Sequence, residues 1–301
     1  MGALFGTTTG ALTAPNYTGL QTQTAVGTLP VPIVWGLNKI APNIIWYNGF
    51  SATPGVNGLG ISSGGKGGGG AAKYGTTQEY SADVIMALCE GPIAGINQIW
   101  KGQAVYTLSD LGLGLWVGDT PQTPWSFVES SYPSQALGYN GLCYAAANSY
   151  SLGSSATLDN HDFEVQGFRY GTGYGQTGYE TYVSDNEQVY AEYNLDNATA
   201  FNGNVPATGF FDADPAWCVS DFLTNAQFGV GFPAGSIDAV TLWTQGGSAD
   251  ASYQTYCRAV GLAMSPALIN SETASSVLDR WLQITNTVAV WSGGLLRFIS
   301  Y

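Results

Sequence analysis

Charged residues are scarce in this 301-residue chain: Asp, Glu, Lys and Arg make up 10% of it, against roughly 25% in an ordinary globular protein. Basic residues are the scarcer sign, with 8 Lys and Arg against 21 Asp and Glu and a net charge of −13. Proteins that hold nucleic acid do so through clusters of Lys and Arg on the phosphates. We therefore predict no stable nucleic-acid binding.

Metal-ligand patterns are also missing. The chain has one histidine, His161, and four widely separated cysteines, Cys89, Cys143, Cys218 and Cys257. Zinc and iron–sulfur sites use closely spaced ligands such as CxxC, and no such spacing occurs. Each cysteine has apolar neighbours, which predicts buried thiols in a reducing compartment. We expect no metal and no cofactor, and we interpret His161 as an exposed turn residue.

Long apolar runs do not occur either. No stretch reaches the about 18 apolar residues that a membrane-spanning helix needs, and the first residues lack the basic and apolar regions of a signal peptide. We expect a protein that is made and folded in a cytoplasm.

Glycine and aromatic residues are abundant instead. There are 41 Gly, and Trp, Tyr and Phe make up 13% of the chain. A surface rich in aromatics and poor in Lys and Glu is typical of a subunit interface. The composition therefore favours a protein that works inside an assembly.

The patterning predicts a β-rich α+β protein with five regions. Thr- and Gly-rich residues predict an extended N-terminal arm, and short runs of β-forming residues predict a β domain with a Gly-rich loop. Mixed helical and Gly/Pro-broken residues predict an inserted, partly helical subdomain, followed by an acidic loop and an α+β region with helices and a hairpin. The regions are residues 1–30, 31–107 with 154–168 (loop 51–73), 108–153, 169–205 and 206–301.

Several elements can be placed within these regions. Runs 31–36 and 43–49 predict a β-hairpin. Asp214 before Pro215 predicts a helix start, a second helix is expected at about 249–262, and Ser271 is expected to cap a third. Two apolar runs around Ser292-Gly293-Gly294 predict a C-terminal hairpin. Because the chain stops inside that hairpin, we expect the natural polypeptide to continue beyond residue 301.

Three patterns that suggest chemistry fail on inspection. Gly60, Gly65 and Lys66 match a phosphate-binding loop, but Gly67 replaces the Ser or Thr that would bind Mg²⁺. A nucleophilic triad needs a base beside a Ser or Cys elbow, and His161 has no such motif. The Asp and Glu clusters lack the spacing of a calcium loop.

Paired carboxylates are harder to set aside, because glycosidases need two of them beside stacking aromatics. Asp212 with Asp214, or Glu187 with Glu192, are the candidate pairs. The first pair flanks a helix start, where an acid caps free N–H groups, and an acidic chain contains such pairs by chance. We predict that the protein is not an enzyme and has no catalytic residues.

Three blocks of sequence resemble one family. Residues 84–101, VIMALCEGPIAGINQIWK, are similar to the SEGPIxG strand–turn–strand of the tail-tip host-attachment proteins of lambda-like phages. With residues 31–50 and the Gly-rich loop, they resemble more closely the tail hub proteins of other siphophages and of gene transfer agents. Residues 121–158 and 212–233 are similar to further blocks of that hub group, in the same order, whereas the acidic block 169–205 has no counterpart.

This resemblance implies a trimeric hub that closes the distal end of a phage tail. Such hubs contain tube-like β-barrel domains, two per subunit, so that a trimer matches a hexameric tube. The implied neighbours are distal tail or tube ring proteins, the end of the tape-measure protein and tip or fibre proteins, with the host surface contacted only indirectly. The implied location is the virion tail tip, assembled in the host cytoplasm, where the hub gates DNA passage.

Aromatic residues and the Glu90-Gly91-Pro92 turn are the candidate interface residues, because aromatics anchor interfaces and a Gly-Pro turn is rigid. For the turn, a plain β-turn and an interface role both remain open. The candidates are Trp35, Trp46, Tyr47, Glu90, Gly91, Pro92, Trp100 and Trp125.

Two other classes of function also remain open. A glycan-active enzyme predicts a deep pocket with two carboxylates about 5–10 Å apart. A carbohydrate-binding module predicts exposed Trp or Tyr platforms on a monomer. A hub predicts a ring of subunits instead.

Overall fold

The computed structural model of the chain describes most of its length. The described residues are 29–55, 77–158, 161–168, 212–243 and 250–301. Nearly all of the expected arm, most of the Gly-rich loop and the acidic region 169–205 lie outside them. In the described residues the protein is β-rich with a few short helices, as the α+β prediction states.

The strands fall into two four-stranded antiparallel sheets and two strand pairs. The strands are β1 Ile33–Val34, β2 Leu37–Ile40, β3 Asn43–Gly55, β4 Thr77–Glu90, β5 Gly95–Lys101, β6 Ala104–Tyr106, β7 Gly114–Trp116, β8 Leu142–Gly153, β9 His161–Gln166, β10 Ala267–Leu268, β11 Thr287–Ser292 and β12 Leu295–Ser300. One sheet has the order β2-β9-β5-β6, and the other, which we call the main sheet, has the order β3-β4-β8-β7. Strand β1 pairs with β10, and β11 pairs with β12.

The two four-stranded sheets share one apolar core. Side chains that alternate along β4, such as Val84 and Met86, pack in the same cluster as Ile99 and Phe163 of the other sheet. Alternation turns Ile85 to the opposite side of β4, into a separate aromatic cluster. Apolar packing on both sides explains why β4 is a nearly continuous apolar run. The strands in the described residues form open sheets, so they do not complete the tube-like barrel that the family resemblance implies.

The structure changes one expected boundary. Residues 142–153, the last part of the expected insertion 108–153, form β8, which lies between β4 and β7 in the main sheet. The helical part of that region is helix α1, Ser126–Ser131, with a 3₁₀ turn at Pro133–Gln135. Strand β8 therefore belongs to the same sheet as β4 rather than to a separate subdomain.

The first predicted hairpin is wrong. Runs 31–36 and 43–49 do not pair with each other, because β1, in the first run, pairs with β10 and β3, in the second run, pairs with β4. Asn43 and Ala87 are opposite each other at one end of the β3–β4 ladder. The two neighbouring apolar runs therefore lie in different sheets, and the partner of the first run is more than 200 residues away.

Four helices follow in the C-terminal part of the described chain. They are α2 Pro215–Thr224, α3 Ala239–Leu242, α4 Tyr253–Ala259 and α5 Ala274–Ile284. The predicted start of α2 is confirmed, since the Asp214 carboxylate accepts a hydrogen bond from the Ala216 N–H. The predicted cap of α5 is wrong: the capping side chain is Thr273, not Ser271. None of the described helices has the length and apolar character to span a membrane.

These helices and the predicted C-terminal hairpin, β11–β12, form a second core. We call residues 212–243 and 250–301 the helical half, and residues 37–55, 77–158 and 161–166 the sheet half. Residues between the two enter the helical core: Trp35 and Phe168 pack there, and the Trp35 and Trp281 rings lie edge to face at 5.3 Å. The segment before β2 therefore joins the halves.

Candidate interaction surface

The Glu90-Gly91-Pro92 turn carries the chain from β4 in one sheet to β5 in the other. The Gly91-Pro92 peptide bond is cis. A Cβ on Gly91 would lie 2.3 Å from the carbonyl oxygen of Val117 and 2.6 Å from the Cα of Gly118. Only glycine fits at that distance, because real Cβ contacts below 3.0 Å essentially do not occur. The turn is therefore packed against another backbone segment of the same chain.

Glu90 connects the turn to the helical half. Its Oε1 accepts a hydrogen bond of 2.5 Å from the side-chain amide of Gln227, and its backbone N–H donates to the carbonyl of Pro32 at 2.9 Å. Burial raises the pKa of the Glu90 carboxyl, and the hydrogen bond from Gln227 opposes that shift in part. Both contacts are within the chain, so the structure gives Glu90 a structural role in the folded subunit.

Trp35 does not offer a surface to another subunit. Its side chain is fully buried, and its indole N–H donates to the Asp221 carboxylate at 2.8 Å. Its place among the interface candidates is corrected by this burial. A tryptophan flanked by Val and Gly gives no signal in the sequence that separates a core anchor from an interface anchor.

Trp46 and Trp125 lie in the aromatic cluster on the other side of the main sheet. Their rings meet edge to face at 6.3 Å, and the Trp46 indole N–H donates to Gln135 at 2.7 Å. Trp116 stacks on Tyr144 at 4.8 Å in the same cluster. The rings are only partly exposed. They cover the sheet beneath α1 and contact each other, which is packing within the subunit.

Trp100 and Tyr47 are the remaining candidates. The Lys39 ammonium lies 4.4 Å from the Trp100 ring centroid and 2.9 Å from the Asp162 carboxylate, so Trp100 takes part in a local surface network. Tyr47, on β3, is 45% exposed. Among the eight candidate residues, Tyr47 is the one whose side chain is classed as exposed.

The clearest exposed apolar surface lies on the C-terminal hairpin. Val288, Val290 and Ile299 are 43%, 37% and 51% exposed, and we call these three residues the hairpin face. On the other side of the same strands, Ala289 and Phe298 pack in the helical core. The sequence analysis predicted the hairpin but not this face, since alternation marks two sides of a strand without indicating which one is covered.

Further apolar side chains lie beside the hairpin face. Trp291 is 58% exposed although its ring meets Phe232 at 6.2 Å, and Tyr301 is 77% exposed. Ile284, at the end of α5, is also exposed. Residues 284–301 therefore contain several exposed apolar side chains, at one end of the helical half.

The first carboxylate pair has a structural role. Asp214 is buried and accepts hydrogen bonds from the Ala216 N–H and the Gln254 amide, both at 2.9 Å, and its Oδ2 lies 3.3 Å from the Arg258 guanidinium. Burial raises the pKa of the Asp214 carboxyl in spite of the Arg258 charge. Asp212 accepts a hydrogen bond from the Ser265 hydroxyl. The second pair, Glu187 and Glu192, lies outside the described residues.

His161 is buried, which contradicts the prediction of an exposed turn residue. Its Nε2 lies 2.6 Å from the Tyr150 hydroxyl, and the two rings meet edge to face. It opens β9, opposite Lys101 of β5. The acidic residues on either side of His161 favoured a turn in the sequence analysis. Its burial depends on Tyr150, a partner that the local sequence pattern does not indicate.

The residues that the structure describes contain no cluster of metal ligands, and a groove that they form lacks paired carboxylates. No group of three or more His, Cys, Asp and Glu side chains in those residues can hold a metal ion. A groove of about 340 Å³ lies between the helical half and the segment before β2, and it is lined mainly by apolar side chains such as Ile33, Phe222 and Phe228. Its lining contains one carboxylate, Glu272, which pairs with Arg280 at 2.6 Å. The two carboxylates of a glycosidase are not present in that groove.

Comparison with known proteins gives a similar structure but no family. No family model matches the chain, and no curated protein matches it. A chain of the virion of a native gene transfer agent particle is similar in structure, with a TM-score of 0.49 and 16% sequence identity. The match covers 95% of this chain and 55% of that chain, so this chain spans about half the length of its neighbour. Similarity at that level carries no conclusion about function.

Proposed function

We propose that the chain is a structural protein of a phage-like virion and forms a trimeric hub at the distal end of the tail. In that role it joins the tail tube to tip or fibre proteins and gates the passage of DNA. The observation that carries the proposal is the hairpin face, an exposed apolar surface on an otherwise well-packed helical half. The sequence blocks described above supply the kind of assembly.

The residues with the family resemblance support the same proposal. The block at residues 84–101 resembles a strand–turn–strand of tail-tip proteins, and here it comprises β4, the Glu90-Gly91-Pro92 turn and β5. This block joins the two sheets of the sheet half. A rigid connection between two sheets suits a part that must keep its shape under load.

Charge also fits the proposed location. A channel that lets DNA pass must not hold phosphates, and a net charge of −13 with 8 basic residues gives little attraction for them. The low charged fraction also lowers the cost of covering the surface with neighbouring subunits, since charged groups are depleted from interface cores.

A glycan-active or glycan-binding module is the less supported alternative. Asp214 is occupied by a helix cap and an ion pair. Trp46 and Trp125 pack edge to face on neighbouring rings rather than presenting open platforms. No contact described above favours a sugar ligand over packing.

The test is the oligomeric state of the purified chain and of a hairpin-face variant. We expect light scattering to give the mass of a trimer and electron microscopy to give a threefold ring. Val288→Ser with Val290→Ser is expected to yield a folded monomer, because it removes apolar contact area without touching the core. The control is Val105→Ser on β6, which changes a valine that is 53% exposed in the sheet half.

Two results would overturn the proposal. One is a wild-type chain that stays monomeric over its soluble concentration range. The other is imaging of intact tails that shows the chain in the capsid, or without threefold symmetry at the tip. If a panel of glycans binds the monomer instead, the alternative function is supported.

A further inference from the structure

Two of the buried cysteines face each other across the main sheet. Cys89, near the end of β4, and Cys143, near the start of β8, are direct partners in the antiparallel ladder. Directly opposed residues in such a ladder have Cα atoms roughly 4.5–5.5 Å apart, inside the range of about 4.4–6.8 Å that a disulfide spans. The two thiols are neighbours in the shared core of the sheets.

The pair is protected in the folded chain. Both cysteines are fully buried and free. Burial, followed by the neighbouring Cys89, raises the pKa of the Cys143 thiol well above its usual value. Because the thiolate is the reactive form, oxidation of this pair is slow as long as the sheet stays closed.

The ladder is irregular at this point. Its register shifts between Ala87 and Cys89, which places Leu88 in an irregular position of β4. An irregularity of this kind bends the strand and disrupts the ladder locally. The regular pairing is thus interrupted directly beside Cys89, while Cys89 and Cys143 remain opposite each other.

The other two cysteines provide a contrast. Cys218 lies on α2 and Cys257 on α4, so no shared ladder fixes their backbones. Cys257 makes its side-chain hydrogen bond with Tyr253, and the groups that raise the pKa of Cys218 beyond the effect of burial are carboxylates, with Asp214 first. These two thiols are buried as well, and they serve as the matched control pair.

We propose that Cys89 and Cys143 form an intrachain disulfide when the folded protein meets a small-molecule disulfide such as oxidised glutathione. The thiolate of one cysteine attacks the oxidant, forms a mixed disulfide and releases one reduced thiol. The thiolate of the second cysteine then attacks the protein sulfur of that mixed disulfide and releases the second reduced thiol. The protein loses two protons and two electrons, and the oxidant gains them.

The bond would lock the central strands of the sheet half. It would tie β4 to β8 one residue before the Glu90-Gly91-Pro92 turn and would enclose β5 to β7 with α1 in one covalent loop. A cross-link of this length restricts the unfolded chain and raises the melting temperature. The proposal concerns the folded subunit and does not depend on its assembly.

The experiment uses the reduced full chain with oxidised glutathione, followed by intact mass and peptide mapping under non-reducing conditions. We expect a mass lower by two hydrogens and a cross-linked pair of peptides that contain Cys89 and Cys143. Cys89→Ala and Cys143→Ala should each abolish that pair, and Cys218→Ala and Cys257→Ala should leave it. The oxidised wild type should melt at a higher temperature than the reduced one, and Cys89→Ala should show no such increase.

Any of three results overturns the inference. One is that both thiols remain free after a long incubation of the folded chain with the oxidant. The incubation must be many times longer than the opening time of β4 and β8, which hydrogen exchange measures. Another is that stable mixed disulfides with glutathione accumulate at Cys89 or Cys143 without ring closure. The last is a cross-link between Cys218 and Cys257 that forms in preference.

Discussion

The two halves of the molecule differ in how completely the apolar faces of their strands are covered. In the sheet half, β4 is covered on both sides, by the opposite sheet on one and by the aromatic cluster on the other. In the helical half, the terminal hairpin buries Phe298 on one side and leaves Val288, Val290 and Ile299 exposed on the other. The terminal hairpin therefore leaves one of its sides uncovered, whereas both sides of β4 are packed within the chain.

Trp35 is one of the residues that connect the two halves. It lies beside β1, which pairs with β10 of the helical half, and its side chain fills the helical core. We expect Trp35→Ala to lower the free energy of unfolding by about 3–5 kcal/mol, because it leaves a cavity and removes the hydrogen bond to Asp221. Urea unfolding followed by circular dichroism measures the loss.

Trp100→Ala is the control, since Trp100 is partly exposed and contacts Lys39 at the surface. We expect it to cost less than about 2 kcal/mol. If Trp35→Ala costs no more than the control, the halves do not depend on this residue. If it produces two separate unfolding transitions, the halves are folding units of their own.

Gly91 tests how tightly the sheet half is built. Gly91→Ala places a methyl group against the backbone of Val117 and Gly118, and a backbone cannot rotate away as a side chain can. We expect a loss of about 2–4 kcal/mol in the free energy of unfolding. Gly235→Ala is the matched control, because nothing lies within 4 Å of its Cβ position. Equal effects of the two changes would show that the turn is more loosely packed than these distances indicate.

The pKa shifts of Asp214, in the helical half, and Asp110, in the sheet half, have opposite directions. We therefore expect their contributions to the free energy of unfolding to change with pH in opposite directions. Burial raises the pKa of Asp214 above its usual 3.8, so the folded state holds that proton more tightly than the unfolded state and its contribution to stability falls as pH rises through the acid range. Hydrogen bonds from Thr107 lower the pKa of Asp110, so its contribution rises with pH below 3.8. Asp214→Asn and Asp110→Asn should each remove one of these slopes from the stability curve.

The measurement is the free energy of unfolding of each variant from about pH 3 to pH 7, taken as a difference from the wild type. Differences of the same sign in slope would contradict the assignment. Asp214→Ala should lower the stability near neutral pH by about 2–3 kcal/mol, more than a simple cap, because it also leaves Gln254 and Arg258 without the carboxylate that they contact.

Local patterns predicted local structure well. The Asp214-Pro215 helix start and the Gly293-Gly294 turn of the terminal hairpin were both readable, because a cap or a two-glycine turn depends on neighbours in sequence. Pairing between distant strands could not be predicted in this way. The pattern predicts that the apolar run before Gly36 pairs with the next run, but its partners are residues near 267. The hairpin face was not predicted, because alternation along a strand does not indicate which of its two sides is covered.

The cap of α5 is a case in which two local signals compete, and it gives the smallest of the predicted effects. Ser271 and Thr273 both precede the helix and both have a capping hydroxyl, but the Thr273 hydroxyl accepts from the Ser276 N–H. Thr273→Ala should therefore lower the free energy of unfolding by about 1 kcal/mol, and Ser271→Ala should leave it nearly unchanged. Because the cap holds the first turn of α5, hydrogen exchange should also show faster exchange in that turn for the threonine variant only. A larger effect from Ser271→Ala would place the helix start two residues earlier, as the sequence pattern alone suggests.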